Sequence, residues 1–141
     1  MSKRLDETIG TVGYDGLIVD NTPDADVFTV TIRKEASAAA TYKRGTVLAL
    51  SASGTGADGK MVILGTDPHK TSGTADEVLE ANCVLADDTD VGTAADATAL
   101  AYRTGHFARN KLIVKTGYTM SATDEENLRK GGILLSGALE Y

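Results

Sequence analysis

Hydrophobic and polar positions alternate most cleanly from Val27 to Arg33, where Phe28, Val30 and Ile32 share one face and Val27, Thr29, Thr31 and Arg33 share the other. A period of two over seven residues predicts a half-buried β-strand. A second strand is expected over Thr46 to Leu50, entered through Lys43-Arg44-Gly45. The next ten residues, Ser51 to Lys60, contain three glycines and read as a hairpin loop leading into Met61-Val62-Ile63-Leu64. Gly65 to Asp76 is a polar connection holding Pro68 and Gly73, where an insertion is tolerable. Asn82 to Ala86 reads as a buried strand and Asp87 to Asp96 as an acidic, turn-rich segment. Near the start, Tyr14 to Val19 is a turn into a short strand, closed by Asp20-Asn21-Thr22-Pro23-Asp24. Residues 1–13 are polar with scattered Leu5, Ile9 and Val12, and Gly10 and Gly13 disfavour a helix there. They are expected to form a flexible arm ahead of one domain over 14–141.

The last third carries the richest pattern. Ala99 to Phe107 predicts a strand with Leu100 and Tyr102 on one side and Ala101 and Arg103 on the other, with a sharp turn at Gly105, which permits a positive φ or a bulge that re-aims the strand before Phe107. Lys111-Leu112-Ile113-Val114 predicts another strand. A short helix follows, because Ser121 stands three residues before Asp124 and Thr123 three before Glu126, so either hydroxyl can cap it. Asp124 and Glu125 suit the positive end of such a helix, Arg129-Lys130 the negative end, and Gly131 the left-handed cap position. Leu128 is its one strong apolar anchor, and Ile133-Leu134-Leu135 is an aliphatic finish.

The 141 residues suit a single domain, and 15 glycines with no tryptophan fit a mainly β, loop-rich architecture with one short C-terminal helix. A net charge of −6 argues against a nucleic-acid partner, since a phosphate-binding surface needs clustered Lys and Arg. Lys43-Arg44 and Arg129-Lys130 are isolated pairs. No apolar run approaches the ~20 residues of a membrane span, and the polar start lacks a signal-peptide core. A soluble protein made in a cytoplasm is expected.

Candidate chemistry is sparse. Cys83, the only cysteine, lies in an apolar run and reads as a small core residue. A nucleophile would need a base, and His69 and His106 are the only histidines. Asp87-Asp88-Thr89-Asp90 lacks the later carboxylate and glycine of a calcium loop and reads as a solvated turn. Gly54 to Gly59 spells GxGxxG without a helical pattern after it, which excludes a dinucleotide fingerprint. Tyr102, Phe107 and Tyr118 read as packing aromatics. No catalytic residue, metal ligand or cofactor site is expected.

In order, Lys43-Arg44-Gly45-Thr46-Val47-Leu48, Val84-Leu85-Ala86 with its acidic turn, Tyr102-Arg103-Thr104-Gly105-His106-Phe107 and the Asp124-Glu125 helix start resemble the bacteriophage lambda-type head decoration proteins. The resemblance covers roughly residues 42–139 and implies a β-clip-like fold assembled as a trimer. It implies a structural virion protein on the outside of an expanded phage head, at threefold positions, with the major capsid protein as partner. Leu5, Ile9, Val12 and Tyr14 are the expected capsid contacts. Two alternatives belong to other classes. Gly13-Tyr14-Asp15-Gly16-Leu17 faintly echoes trimeric dUTPase-like nucleotide hydrolases, though the serine pair and glycine-rich C-terminal motif are absent. The other alternative is a phage tail or adhesin module binding host glycans.

Overall fold

The structure, a computed structural model, describes residues 16–20 and 23–136. The expected arm and the contacts Leu5, Ile9, Val12 and Tyr14 lie outside the described residues. Among the described residues the chain forms β1 (Ile18–Asp20), β2 (Asp26–Ile32), β3 (Ala40–Tyr42), β4 (Val47–Ser53) and β5 (Met61–Ile63). It continues through β6 (Lys70–Thr71), β7 (Thr74–Ala75), β8 (Val78–Leu85), β9 (Thr89–Val91) and β10 (Ala97–Ala108). Helix α1 (Ala122–Gly131) and β11 (Ile133–Ser136) complete the order. The fold is mainly β with one short helix near its C-terminal end.

The main sheet closes on itself. From β10 the order runs through β2, β5, β4 and β8, and β8 returns to β10 with Leu85 opposite Ala101 and Val84 opposite Tyr102. Closure removes the long open edges that would invite non-specific pairing. The alternation of β2 is realised as expected: Val30 and Ile32 are buried, Phe28 is half-buried, and Val27, Thr29 and Thr31 face outward. The β4–β5 hairpin also forms, with Leu48 opposite Ile63 and Leu50 opposite Met61.

Strand β10 has the positive φ expected at Gly105 but no sharp turn there. It runs unbroken through Gly105, and a register shift between Tyr102 and Thr104 absorbs the extra residue. Gly105 has φ 151°, and a Cβ there would stand 2.6 Å from Cζ of Phe107, whose ring lies over the glycine. Moreover Ala99 and Ala101 face the core whereas Leu100 is 44% exposed. The small alanines fit where β8 and β10 meet, opposite the fully buried Leu85.

Three further segments differ. Lys111 to Val114 is not a strand; a 3-10 turn covers Arg109–Lys111, and only Ile113 makes a bridge, parallel to Thr46. The polar connection at 65–76 contains the β6–β7 hairpin, whose turn residues Ser72 (φ 54°) and Gly73 (φ 82°) are both left-handed, as a two-residue hairpin favours. The acidic segment contains β9, which pairs with β3.

Helix α1 is capped by Ser121. Its Oγ accepts the Asp124 N–H at 3.1 Å while Asp124 Oδ2 accepts the Ser121 N–H at 3.0 Å, a reciprocal capping box. Gly131 is the last helical residue, and Gly132, with φ 107°, takes the left-handed cap instead. A Cβ on Gly132 would lie 2.9 Å from Thr104 Cγ2, so glycine serves both the turn and the close approach to β10. Leu128 is fully buried and docks the helix on β8 and β11.

Candidate functional site

The candidate surface is the end of β10 beyond Gly105, where the two ends of the described fold converge. Strand β1 pairs antiparallel with β10, Ile18 opposite Phe107, and the Ala108 N–H donates to the Leu17 carbonyl at 2.8 Å. Strand β11 runs parallel to β10 and ends with Ser136 opposite Ala108. The two ends of the described stretch, Leu17 and Ser136, therefore both lie beside Ala108. His106 sits there half-buried, its Nε2 3.1 Å from Ser136 Oγ and its Nδ1 3.9 Å from the Asp20 carboxylate. Arg109 forks onto Glu125 at 3.0 and 2.9 Å. His106, Arg109, Glu125, Arg129, Leu134 and Leu135 border a shallow depression of about 440 Å³. Alternating ion pairs around exposed aliphatics suit a contact surface more than a reaction centre.

The residues that invited chemical readings serve structure. Cys83 is fully buried in β8, and that burial pushes its thiol up to about 12, so at neutral pH it holds its proton. His69 bonds the Asp76 carboxylate at 2.8 Å. In the acidic turn, Asp88 accepts the Arg44 N–H at 2.7 Å and Asp90 accepts the Thr41 hydroxyl at 2.7 Å. Among the described residues no three His, Cys, Asp or Glu side chains are grouped to hold a metal ion. The GxGxxG string forms the β4–β5 loop and leads into a strand; Gly54 packs so closely that a Cβ would meet the Asp76 carbonyl at 2.3 Å. Tyr102 and Phe107 stack at 5.3 Å between centroids, and the Arg44 guanidinium lies 5.4 Å over the Tyr102 ring. Tyr118 bonds Asp124, which raises the phenol above its ordinary range.

One charged centre has no counterpart in the sequence reading. The Glu77 side chain is wholly buried and accepts Arg33 Nη2 at 2.7 Å, Arg33 Nη1 at 3.2 Å, Ser51 Oγ at 2.6 Å and the His69 N–H at 2.7 Å. These bonds, led by Arg33, hold its carboxyl at about 2, although burial opposes the shift. Arg33 also forks onto Asp58 through Nε and Nη2, both at 3.0 Å. The cluster ties β2, β4, the glycine loop and the His69 segment together. Sequence separation hid it, since Arg33 and Glu77 are 44 residues apart.

A sequence profile of the bacteriophage lambda head decoration protein D family matches residues 8–134. The chain belongs to that family. Its role is therefore that of a structural protein of the phage capsid. The match begins inside the segment read as an arm and runs to the middle of β11, so it covers the whole closed sheet and the capped helix. A comparison with curated proteins gave no match. For a decoration protein the Arg33–Glu77 centre is a structural clasp, holding long loops on a small scaffold.

Proposed function

We propose that this decoration protein binds as trimers on the outer surface of an expanded phage head, at threefold positions, and holds neighbouring copies of the major capsid protein together. Family membership over residues 8–134 carries the reading. The convergence of Leu17 and Ser136, the ends of the described stretch, beside Ala108 supports it. In this reading Leu5, Ile9, Val12 and Tyr14 are the capsid contacts. An arm of this kind orders on its partner, where edge-strand pairing supplies hydrogen bonds and the aliphatics supply anchors. A protein that binds only the closed shell stabilises it by mass action, and three linked arms add avidity.

Co-sedimentation with undecorated heads tests the reading. Purified protein is expected to pellet with expanded heads, to remain in the supernatant with unexpanded ones, and to raise the temperature at which heads release DNA. A protein that ignores expanded heads but hydrolyses nucleotides, or that binds host cells instead, refutes it.

A further inference from the structure

We infer that the trimer closes through two different patches of the chain, the Lys111–Ile113–Lys115 edge of one copy seating on the Val27–Leu100 face of the next. This rests on the trimeric reading above. A cyclic trimer requires such a heterologous contact, since each copy must offer one patch and receive another.

The receiving face lies on the outside of the β2–β10 pair. Leu100 is 44% and Val27 45% exposed, and because Leu100 stands opposite Thr29, the two aliphatics are diagonal neighbours on one face. Leu100, Thr29 and Thr98 share a depression of about 420 Å³ with Asp87, Asp88 and Asp90. The Ala86 N–H donates to the Leu100 carbonyl at 2.9 Å, which holds the acidic turn alongside. Asp88 has Lys43 at 3.8 Å, whereas Asp87 and Asp90 have no cationic partner among the described residues. The face is apolar at its centre and negative at its rim.

The inserting edge has the opposite sign. Ile113 is 38% exposed, and Lys111 and Lys115 flank it, both exposed and neither ion-paired among the described residues. The edge is rigid: the Ile113 N–H donates to Gly45 at 3.0 Å, its carbonyl accepts from Val47 at 2.8 Å, and the Lys115 N–H donates to Leu64 at 2.9 Å. The chain turns extended at Leu112, after the 3-10 turn, so the two lysines stand at most about 13 Å apart, while the turn from Asp87 to Asp90 spans at most about 10 Å. Ile113 can therefore enter the depression beside Leu100 with a lysine on either side of the carboxylates. Pairing the acidic face with itself, as a twofold dimer would, sets Asp87 and Asp90 against their own copies and is repelled.

Disulfide trapping tests the contact. Leu100→Cys and Ile113→Cys are placed in one chain, and the protein is treated with diamide in solution, or on heads if the free protein is monomeric. Native Cys83 is fully buried and stays silent. A non-reducing gel is expected to show a ladder ending at a covalent trimer, with neither single variant forming one. In a second arm, Lys111→Glu/Lys115→Glu is expected to weaken trimer association by about tenfold or more, and adding Asp87→Lys/Asp90→Lys to restore most of the loss. Absence of both cross-link and rescue, in a wild-type protein that is trimeric, overturns the contact and leaves the trimer standing. Wild-type protein that is never trimeric, in solution or on heads, overturns both.

Discussion

Replacing Glu77 with Gln probes the clasp at its buried centre. The carboxylate is held at about 2 against an ordinary 4.5. At about 1.4 kcal/mol per unit, the folded state favours the charged form by about 3 kcal/mol. Glutamine keeps the shape but turns one acceptor into a donor, and in either orientation that donor faces an Arg33 N–H, in one of them the His69 N–H as well. E77Q is therefore expected to lose about 3 kcal/mol at pH 7, or a fall in Tm of about 10 °C for a chain of this size. The pH dependence follows from the sign of the shift. Because the folded value is depressed, the contribution is complete above about pH 4.5 and disappears as pH falls toward 2. Urea melts of both proteins between pH 7 and pH 2.5 measure the gap. It should be widest at neutral pH and fall to about a quarter of that at pH 2.5. D58N provides the comparison: its carboxylate is 33% exposed, so loss of its Arg33 pair should cost about 1 kcal/mol or less. An E77Q protein within about 0.5 kcal/mol of wild type at pH 7, or a gap unchanged at pH 2.5, refutes the reasoning.

Leu128→Asp should cost about 3 kcal/mol or more by placing a carboxylate at a fully buried position, while Ser121→Ala should cost about 1 kcal/mol; equal denaturant midpoints would mean that neither anchor nor cap acts as described. Gly105→Ala should cost about 3 kcal/mol, because φ 151° strains an L-residue and its Cβ meets the Phe107 ring, and a thermal melt unchanged from wild type would refute this. Deleting residues 1–12 is expected to leave Tm and oligomeric state nearly unchanged while greatly weakening co-sedimentation with heads; a collapsed fold, or undiminished head binding, rejects the arm as the anchor.

The sequence alone determined the elements whose stabilising contacts are local. The alternation of β2 follows from the two-residue side-chain period, and the β4–β5 hairpin from glycines between two apolar runs. The capped helix is legible because Ser121 and Asp124 satisfy each other's N–H across three residues. The order of such elements also carried the family, without marking which surface works.

Tertiary structure decided the rest. Strands β3 and β9 are three residues each and carry no period of their own; they exist because Ala40–Tyr42 and Thr89–Val91, far apart in the chain, complete each other's hydrogen bonds. Leu100 faces solvent and Ala101 the core, because the narrow junction of β8 and β10 has room opposite Leu85 only for a small side chain. Nothing in the sequence links Arg33 to Glu77 until the fold brings them to 2.7 Å and removes the water from Glu77. What burial does to a side chain depends on what lies across from it, and that is a property of the closed sheet.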